Sequence, residues 1–180
     1  MRARRLRLEI WKFGGASLAD AAAVRRAVEL IAAHPGPLLV VASALAGVTD
    51  LLLEGAAGSV EGDAGRGAAA AERLAERHRR VVRALLPQGR ERRRLLALVD
   101  QAAREYAEIT HAVAALRDLS PRVSDMLVAR GERLSSAILA AALAAAGRRS
   151  AWHDATELVV TDGRHGSATP DLAATCRLAR

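Results

Sequence analysis

Trp11-Lys12-Phe13-Gly14-Gly15-Ala16-Ser17 follows the apolar run Leu6-Leu8-Ile10 and leads into a helix-like segment from about Ala19 to Ala33. An extended run that ends in two glycines and a small hydroxyl residue before a helix gathers bare backbone N–H groups and a positive helix end in one place, which suits an anion. Lys12 adds a full charge there. The chain carries 27 basic residues, and Lys12 is the only lysine among them; every other one is arginine. A lone lysine beside two glycines in such a chain points to a need for a compact, flexible ammonium that a planar guanidinium does not meet. The competing reading is a snorkelling lysine that falls at a strand end by chance. The glycines match neither G-x-x-x-x-G-K-[ST] nor G-x-G-x-x-G, so neither the Walker-type nor the dinucleotide-binding reading is supported.

The chain of 180 residues, 51% of them hydrophobic, is long enough for one domain with a sizeable core. Its four aromatic residues are Trp11, Phe13, Tyr106 and Trp152, so leucine, valine and alanine must build the core. Met1 to Arg7 holds four arginines with no signal-length apolar run behind them, and no stretch is long enough to span a membrane. A cytoplasmic protein is expected. Cys176 is the single cysteine and has no partner for an internal disulfide or a thiol metal site. The net charge of +7 invites a nucleic-acid reading. Against it, the arginines are spread along the chain and interleaved with acids, as at Glu72-Arg73, Glu76-Arg77 and Arg104-Glu105, and no aromatic interleaving or helix-turn-helix pattern appears. Only Arg90 to Arg94 forms a dense cluster, which reads as a solvated helix start.

After a break at His34-Pro35-Gly36-Pro37, Leu38-Leu39-Val40-Val41-Ala42 is a short continuous apolar run. Such runs alternating with helices predict strands buried on both faces of a parallel sheet. Ser43-Ala44-Leu45-Ala46-Gly47-Val48-Thr49-Asp50 then brings small and hydroxyl residues to the carboxyl end of the strand, where open α/β sheets bind ligands. Ser43 and Thr49 can equally be caps of the next helix. Gly55 to Gly67 reads as a loop or loosely helical insert. Ala68 to Leu86 is helical, with Leu74, Val81, Val82 and Leu85 on one face. Leu95, Val99, Ala102, Tyr106, Ile109, Val113 and Leu116 recur at spacings of four and three, which predicts a second helix packed along the first as a lid-like hairpin.

Ser120 caps a further helix with Pro121 at its first position, and Gly147 ends it. Inside lies Gly131-Glu132-Arg133-Leu134-Ser135-Ser136. A helical glycine costs about 1 kcal/mol relative to alanine, and close approach of a ligand is one gain that offsets it. Glu132 sits among Leu127, Val128, Leu134 and Ala137, which points into a partly buried site; the alternative is a surface ion pair with Arg130, Arg133 or an arginine one turn away. A third strand and a short turn segment are expected over Arg149–Asp154 and Leu158–Thr161, then a turn at Asp162–Gly166 and a last helix opened by Pro170-Asp171. The five histidines show no metal-ligand spacing, and no Ser/His/Asp set emerges.

These segments, in this order, resemble the aspartokinases within the amino acid kinase family. Lys12 to Ser17 resembles K-F-G-G-[TS]-S, Ser43 to Asp50 resembles S-A-x-x-x-[VI]-T-N, Gly131 to Ser135 resembles G-E-x-[LM]-S, and Thr161 to Pro170 resembles T-[DN]-x-x-[FH]-G-x-A-x-P. The resemblance runs from about Arg5 to Arg180. Ala16 stands where the family has threonine, and Asp50 where it has asparagine. The resemblance implies the amino-terminal half of a three-layer αβα sandwich of the amino acid kinase type, with a helical hairpin insert. Residues 1–180 would be part of one kinase domain. It implies phosphoryl transfer from ATP, with Mg²⁺, to the β-carboxylate of L-aspartate, at the start of lysine, threonine and methionine biosynthesis. Lys12 would be catalytic; Lys12, Phe13, Gly14, Gly15, Ser17 and Ser43 would surround the nucleotide phosphates, and Thr49 and Glu132 would hold aspartate. A homo-oligomer is implied for the complete protein. The family's G-R-G-G-S-D motif and adenine-binding half do not occur within these residues, and neither does a regulatory domain or a fused homoserine dehydrogenase, so an inactive fragment is expected. Another acceptor, such as glutamate, acetylglutamate or uridylate, or a non-catalytic interaction domain, are the alternatives.

Overall fold

The turn at Gly14 and Gly15 lies at the carboxyl end of a two-stranded parallel sheet. The computed structural model describes residues 7–179, so Leu6 and the first arginines lie outside the described residues. Strand β1 (Glu9–Phe13) pairs with β2 (Leu38–Ala42) in a register that sets Lys12 opposite Val41 and Phe13 opposite Ala42. The connection is a short 3₁₀ turn, Gly15–Leu18, followed by helix α1 (Ala21–Ala33). Asp20 caps α1 by accepting a hydrogen bond from Ala23 N at 2.8 Å. Helices α2 (Val48–Val60), α3 (Ala64–Leu85), α4 (Arg90–Leu116) and α5 (Pro121–Ala145) follow, and a short α6 (Leu172–Leu178) closes the chain.

Side chains alternate across the sheet. Trp11, Phe13, Leu38, Val40 and Ala42 face the helices and join their core. Leu8, Ile10, Leu39 and Val41 face the other way and are 62%, 67%, 51% and 47% exposed. The strands are therefore covered on one face only among the described residues, not on both. The α/β architecture and the helical hairpin insert are as expected, and the helices present form one of the two layers of an αβα arrangement.

Of the two readings of Gly55–Gly67, the helical one holds, apart from a short turn at 61–63. Helix α2 runs to Val60, and α3 begins at Ala64 after a tight turn capped by Asp63, which accepts from Gly65 N at 2.9 Å. Its glycines are there because helices cross closely. A Cβ on Gly55 would lie 2.5 Å from Ala70 Cβ and 2.6 Å from the Tyr106 hydroxyl, and one on Gly67 would lie 2.5 Å from Thr110 Cβ. Tyr106, fully buried, donates its hydroxyl hydrogen to Leu52 O at 2.6 Å and joins α4 to α2 across this seam. Gly67→Ala is expected to cost about 1–3 kcal/mol through overpacking, a fall in Tm of up to about 10 °C for a domain of this size. An unchanged thermal melt would show that the seam opens without penalty.

His78 on α3 is also fully buried, and its Nδ1 lies 2.8 Å from Leu74 O. Burial pushes its pKa down from 6.5 to about 4, against the raising effect of that backbone contact. Below pH 6.5 the unfolded chain takes up a proton that the native chain refuses, so the native state loses stability as pH falls from 6.5 towards 4. Melting curves taken between pH 7 and 5, above the range of most carboxylates, should show this decline. The non-titrating His78→Leu should flatten it, and an equally steep decline in that variant would assign the effect elsewhere.

Ser120 caps α5 by accepting from Val123 N at 3.3 Å, with Pro121 at the first helical position. Gly147, at φ +80°, ends it as expected. The expected third strand does not form. Residues 151–154 have no strand partner, Ala155–Glu157 is a 3₁₀ turn, and Thr161 makes only an isolated antiparallel bridge with Pro170. Asp154 closes the segment onto α5: it accepts from Thr156 N at 3.0 Å and pairs with Arg133 at 2.7 Å. Burial opposes its ionisation, and these bonds outweigh that effect, holding its carboxyl below its ordinary value.

Candidate active site

Four parts of the chain meet on the segment that follows β2. Ser43 N donates to Phe13 O at 2.9 Å, which ties the end of β1 to the start of this segment. A Cβ placed on Gly15 would lie 3.4 Å from Ala44 O and 3.5 Å from Ala46 Cα, so the first glycine turn stacks directly on residues 44–46. Helix α5 presses from behind: a Cβ on Gly131 would lie 2.7 Å from Ala44 Cβ and 3.1 Å from Val48 Cγ1. The space that requires a glycine at 131 is filled by the protein's own loop, not by a ligand.

Two side chains of α5 then hold one peptide group. Ser135 Oγ donates to Ser43 O at 2.6 Å, and Ala44 N donates to Glu132 Oε1 at 3.2 Å. Ser43 C=O and Ala44 N–H are the two ends of the same amide plane. The arginines that offered Glu132 an ion pair are engaged elsewhere. Arg133 pairs with Asp154 at 2.7 Å, and Arg130 lies 3.6 Å from Glu105 and donates to Met126 O. Glu132 is half-buried and has no cationic partner among the described residues.

The capping alternative for Ser43 and Thr49 does not hold. Gly47, at φ +69°, is the N-cap residue of α2, and no side chain caps this helix. Ser43 lies well before the helix, and Thr49 sits half-buried within its first turn. The first glycine turn also lacks a side-chain cap; Ser17 N donates to Gly14 O at 3.0 Å. Two short backbone turns thus stand side by side at the carboxyl edge of the sheet, the 3₁₀ turn at Gly15 and the uncapped start of α2 at Gly47, while Asp20 caps α1 itself; free backbone N–H groups of this kind suit an oxyanion. Lys12, the exposed penultimate residue of β1, lies on the open face of the sheet beside this edge. Phe13 is buried beneath it as a core residue, so only its backbone is available to a ligand. Ala16, Ser17 and Asp50 are exposed.

Two contributions were not visible in the sequence. Arg77 of α3 reaches over the Gly47 corner, where a Cβ would lie 3.6 Å from its Nη1 and 4.0 Å from its Nη2. Asp125, two turns before Glu132 on the same face of α5, accepts from Gly166 N at 3.0 Å and lies 3.1 Å from His165 Nδ1. It thereby fastens the Asp162–Gly166 turn to the helix that carries Glu132. The site is an open ledge. Two cavities of about 170 and 130 Å³ lie within the helical layer, one between α2 and α3 beside Glu54 and Arg73, the other between α4 and α5 beside Gln101, Arg133 and Trp152.

Comparison with known proteins places this arrangement among relatives. The profile of the amino acid kinase family matches residues 7–177. Lysine-sensitive aspartokinase 3 of Escherichia coli K12 is 34% identical over 176 residues, covering 93% of this chain and 35% of that protein. An aspartokinase of Chlamydia trachomatis serovar D is 29% identical over 164 residues, covering 91% and 34%. E. coli aspartokinase III in complex with lysine and aspartate superposes with a TM-score of 0.83 at 28% identity, over 96% of this chain and 37% of that one. The same enzyme in complex with aspartate and ADP gives 0.80 at 29% identity, with the same coverage. This chain spans about a third of the length of these relatives.

Proposed function

We propose, from the premise that this chain belongs to the amino acid kinase family, that it forms the amino-terminal part of a kinase domain that phosphorylates L-aspartate on its β-carboxylate. The observation that carries this reading is Glu132: a half-buried carboxylate with no cationic partner among the described residues, held by Ala44 N–H beside an anion-suited glycine turn. A fixed anion next to an oxyanion site suits a substrate bearing an ammonium and a carboxylate. It is poorly suited to uridylate, which has no ammonium, or to acetylglutamate, whose amine is acylated.

In this reading a β-carboxylate oxygen of aspartate attacks the γ-phosphorus of ATP, the bond to the β–γ bridging oxygen breaks, and ADP leaves with that electron pair. Positioning and charge neutralisation supply most of the catalysis in such reactions. Lys12 stabilises charge on the transferring phosphoryl group. Phe13, Gly14, Gly15, Ser17 and Ser43 surround the phosphates, through backbone N–H groups and the two serine hydroxyls, and Thr49 and Glu132 orient aspartate. Mg²⁺ accompanies ATP in the family. Among the described residues no group of three or more His, Cys, Asp or Glu is placed to hold a metal ion, so these residues do not build a metal cage and no step here passes through one. No helix among them is long and apolar enough to cross a membrane. We read the complete protein as a cytoplasmic homo-oligomer acting on small molecules, with no nucleic-acid partner.

The test is ADP release that requires both ATP and L-aspartate, with the acyl phosphate trapped by hydroxylamine, in a chain that joins these residues to the remaining kinase domain. Turnover with glutamate but not aspartate would replace the acceptor. Absence of turnover with every amino acid would leave the interaction-domain reading.

A further inference from the structure

Between α4 and α5 a guanidinium is buried with half of its donors unmet. The Arg130 side chain is only 10% exposed, and burial lowers its pKa more than the neighbouring Glu105 raises it. Its Nη1 donates to Met126 O, one turn back in the same helix. The other edge, Nε with Nη2, is a fork of the kind that binds a carboxylate through two parallel hydrogen bonds. Nε is buried with no hydrogen-bond partner among the described residues, and Nη2 stands 3.6 Å from Glu105, beyond hydrogen-bond distance. Glu105 is held back by Gln101, whose Nε2 donates to its Oε1 at 2.9 Å. The other arginine nearby, Arg133, is matched by Asp154 at 2.7 Å. Arg130 lines the cavity of about 130 Å³ between the two helices, whose apolar walls are Leu98, Ala102, Leu134 and Trp152. The indole of Trp152 is fixed there by donating to Ser136 Oγ at 2.8 Å. An apolar cavity of about 150 Å³ accommodates benzene, so this one has room for about five or six non-hydrogen atoms.

We propose that the cavity between α4 and α5 is a second ligand site, which takes a small aliphatic carboxylate: the carboxylate on the open fork of Arg130, the hydrocarbon tail against Leu98, Ala102, Leu134 and Trp152. Inorganic phosphate would satisfy the fork but leave its remaining oxygens against apolar walls, which disfavours it. Oε2 of Glu105 accepts no hydrogen bond from the described residues and is placed to meet an α-ammonium where the carboxylate carries one. At 3.6 residues per turn, Arg130, Arg133 and Leu134 stand on the side of α5 turned away from Glu132 and Ser135. The site is therefore distinct from the candidate active site, and the proposal does not rest on the aspartate kinase reading.

The test follows the indole N–H resonances of Trp11 and Trp152, the two tryptophans of the 180-residue chain, by nuclear magnetic resonance. The probes are butyrate, its α-amino analogue, butylammonium and inorganic phosphate. Butyrate or its α-amino analogue is expected to shift Trp152 saturably and to leave Trp11 in place, whereas butylammonium and phosphate should do neither. Tighter binding of the α-amino analogue supports the site and assigns an ammonium to Glu105; tighter binding of butyrate supports it as a site for a plain carboxylate. Arg130→Met, which removes the fork and keeps the stem, should weaken the better probe about tenfold or more. Ala102→Leu, which fills the cavity and leaves every charge in place, carries the same expectation if Arg130→Met fails to fold. Arg83→Gln, exposed near the far end of α3, controls for loss of one charge and should leave the affinity unchanged. No saturable shift of Trp152 with either carboxylate, an equal response to phosphate or butylammonium, or unchanged affinity in a folded Arg130→Met or Ala102→Leu chain overturns the proposal. Binding that survives Arg130→Met but is lost in Glu132→Gln moves the carboxylate to the candidate active site and likewise overturns it.

Discussion

Lys12→Arg, in a chain that carries the rest of the kinase domain, is expected to lower kcat by about a hundredfold or more, the scale seen when one charge-stabilising donor is lost. The KM for aspartate should change little, because losing an interaction made only in the transition state lowers kcat and kcat/KM together. The geometry sharpens this expectation. Lys12 is exposed on the open face of the sheet, away from the core that Phe13 enters. Exchange for another long cation therefore leaves packing untouched, and Tm should stay within about 2 °C of wild type, as for a surface substitution. Steady-state kinetics and a melt on the same sample separate the two readings of this residue. Near-normal kcat in a well-folded Lys12→Arg enzyme would mean that the chain's only lysine stands there by chance.

Glu132→Gln should act on binding instead. The glutamine Oε1 can still accept from Ala44 N, so the 3.2 Å hydrogen bond that holds the loop is preserved while the charge is removed. Removing the charge from a partly buried ammonium–carboxylate pair costs on the order of 2–3 kcal/mol, so the KM for aspartate should rise about 30- to 160-fold with a smaller change in kcat. The KM for ATP should move little. An unchanged KM for aspartate would show that the free oxygen of Glu132 does not meet the substrate ammonium.

What could be read from the sequence and what could not divide along a physical line. The boundaries of α5 are written locally, in the Ser120 cap, the Pro121 start and the Gly147 stop, and a single window of sequence suffices. The order of the site segments was equally legible, because each is a short motif. The Gly55–Gly67 stretch misleads because glycine lowers helix propensity in any local account, whereas at a close helix crossing the absence of a side chain is what allows contact. The same holds for Gly131, whose reason lies 87 positions earlier at Ala44. The missing third strand has the opposite cause: Leu158-Val159-Val160-Thr161 has strand composition, but no strand neighbours it among the described residues. Arg77 carried no signal, since an arginine on a basic helix looks like its neighbours until the fold sets it over Gly47.

The grip of α5 on the Ser43–Ala44 amide has a consequence of another kind. That one plane is fixed at its oxygen by Ser135 and at its hydrogen by Glu132, while Gly15 stacks against the carbonyl of the next peptide, Ala44 O. A ligand that draws the Glu132 carboxylate towards itself lengthens one of the two bonds that orient the plane, and a ligand seated on the glycine turn bears on the next peptide along the chain. Occupancy of either place is thus felt at the other through two consecutive amides that share Ala44. Thermodynamic linkage requires the resulting change in affinity to be the same factor in both directions. The order in which two such ligands arrive would then alter their rates of binding, and never the stability of the final ternary state.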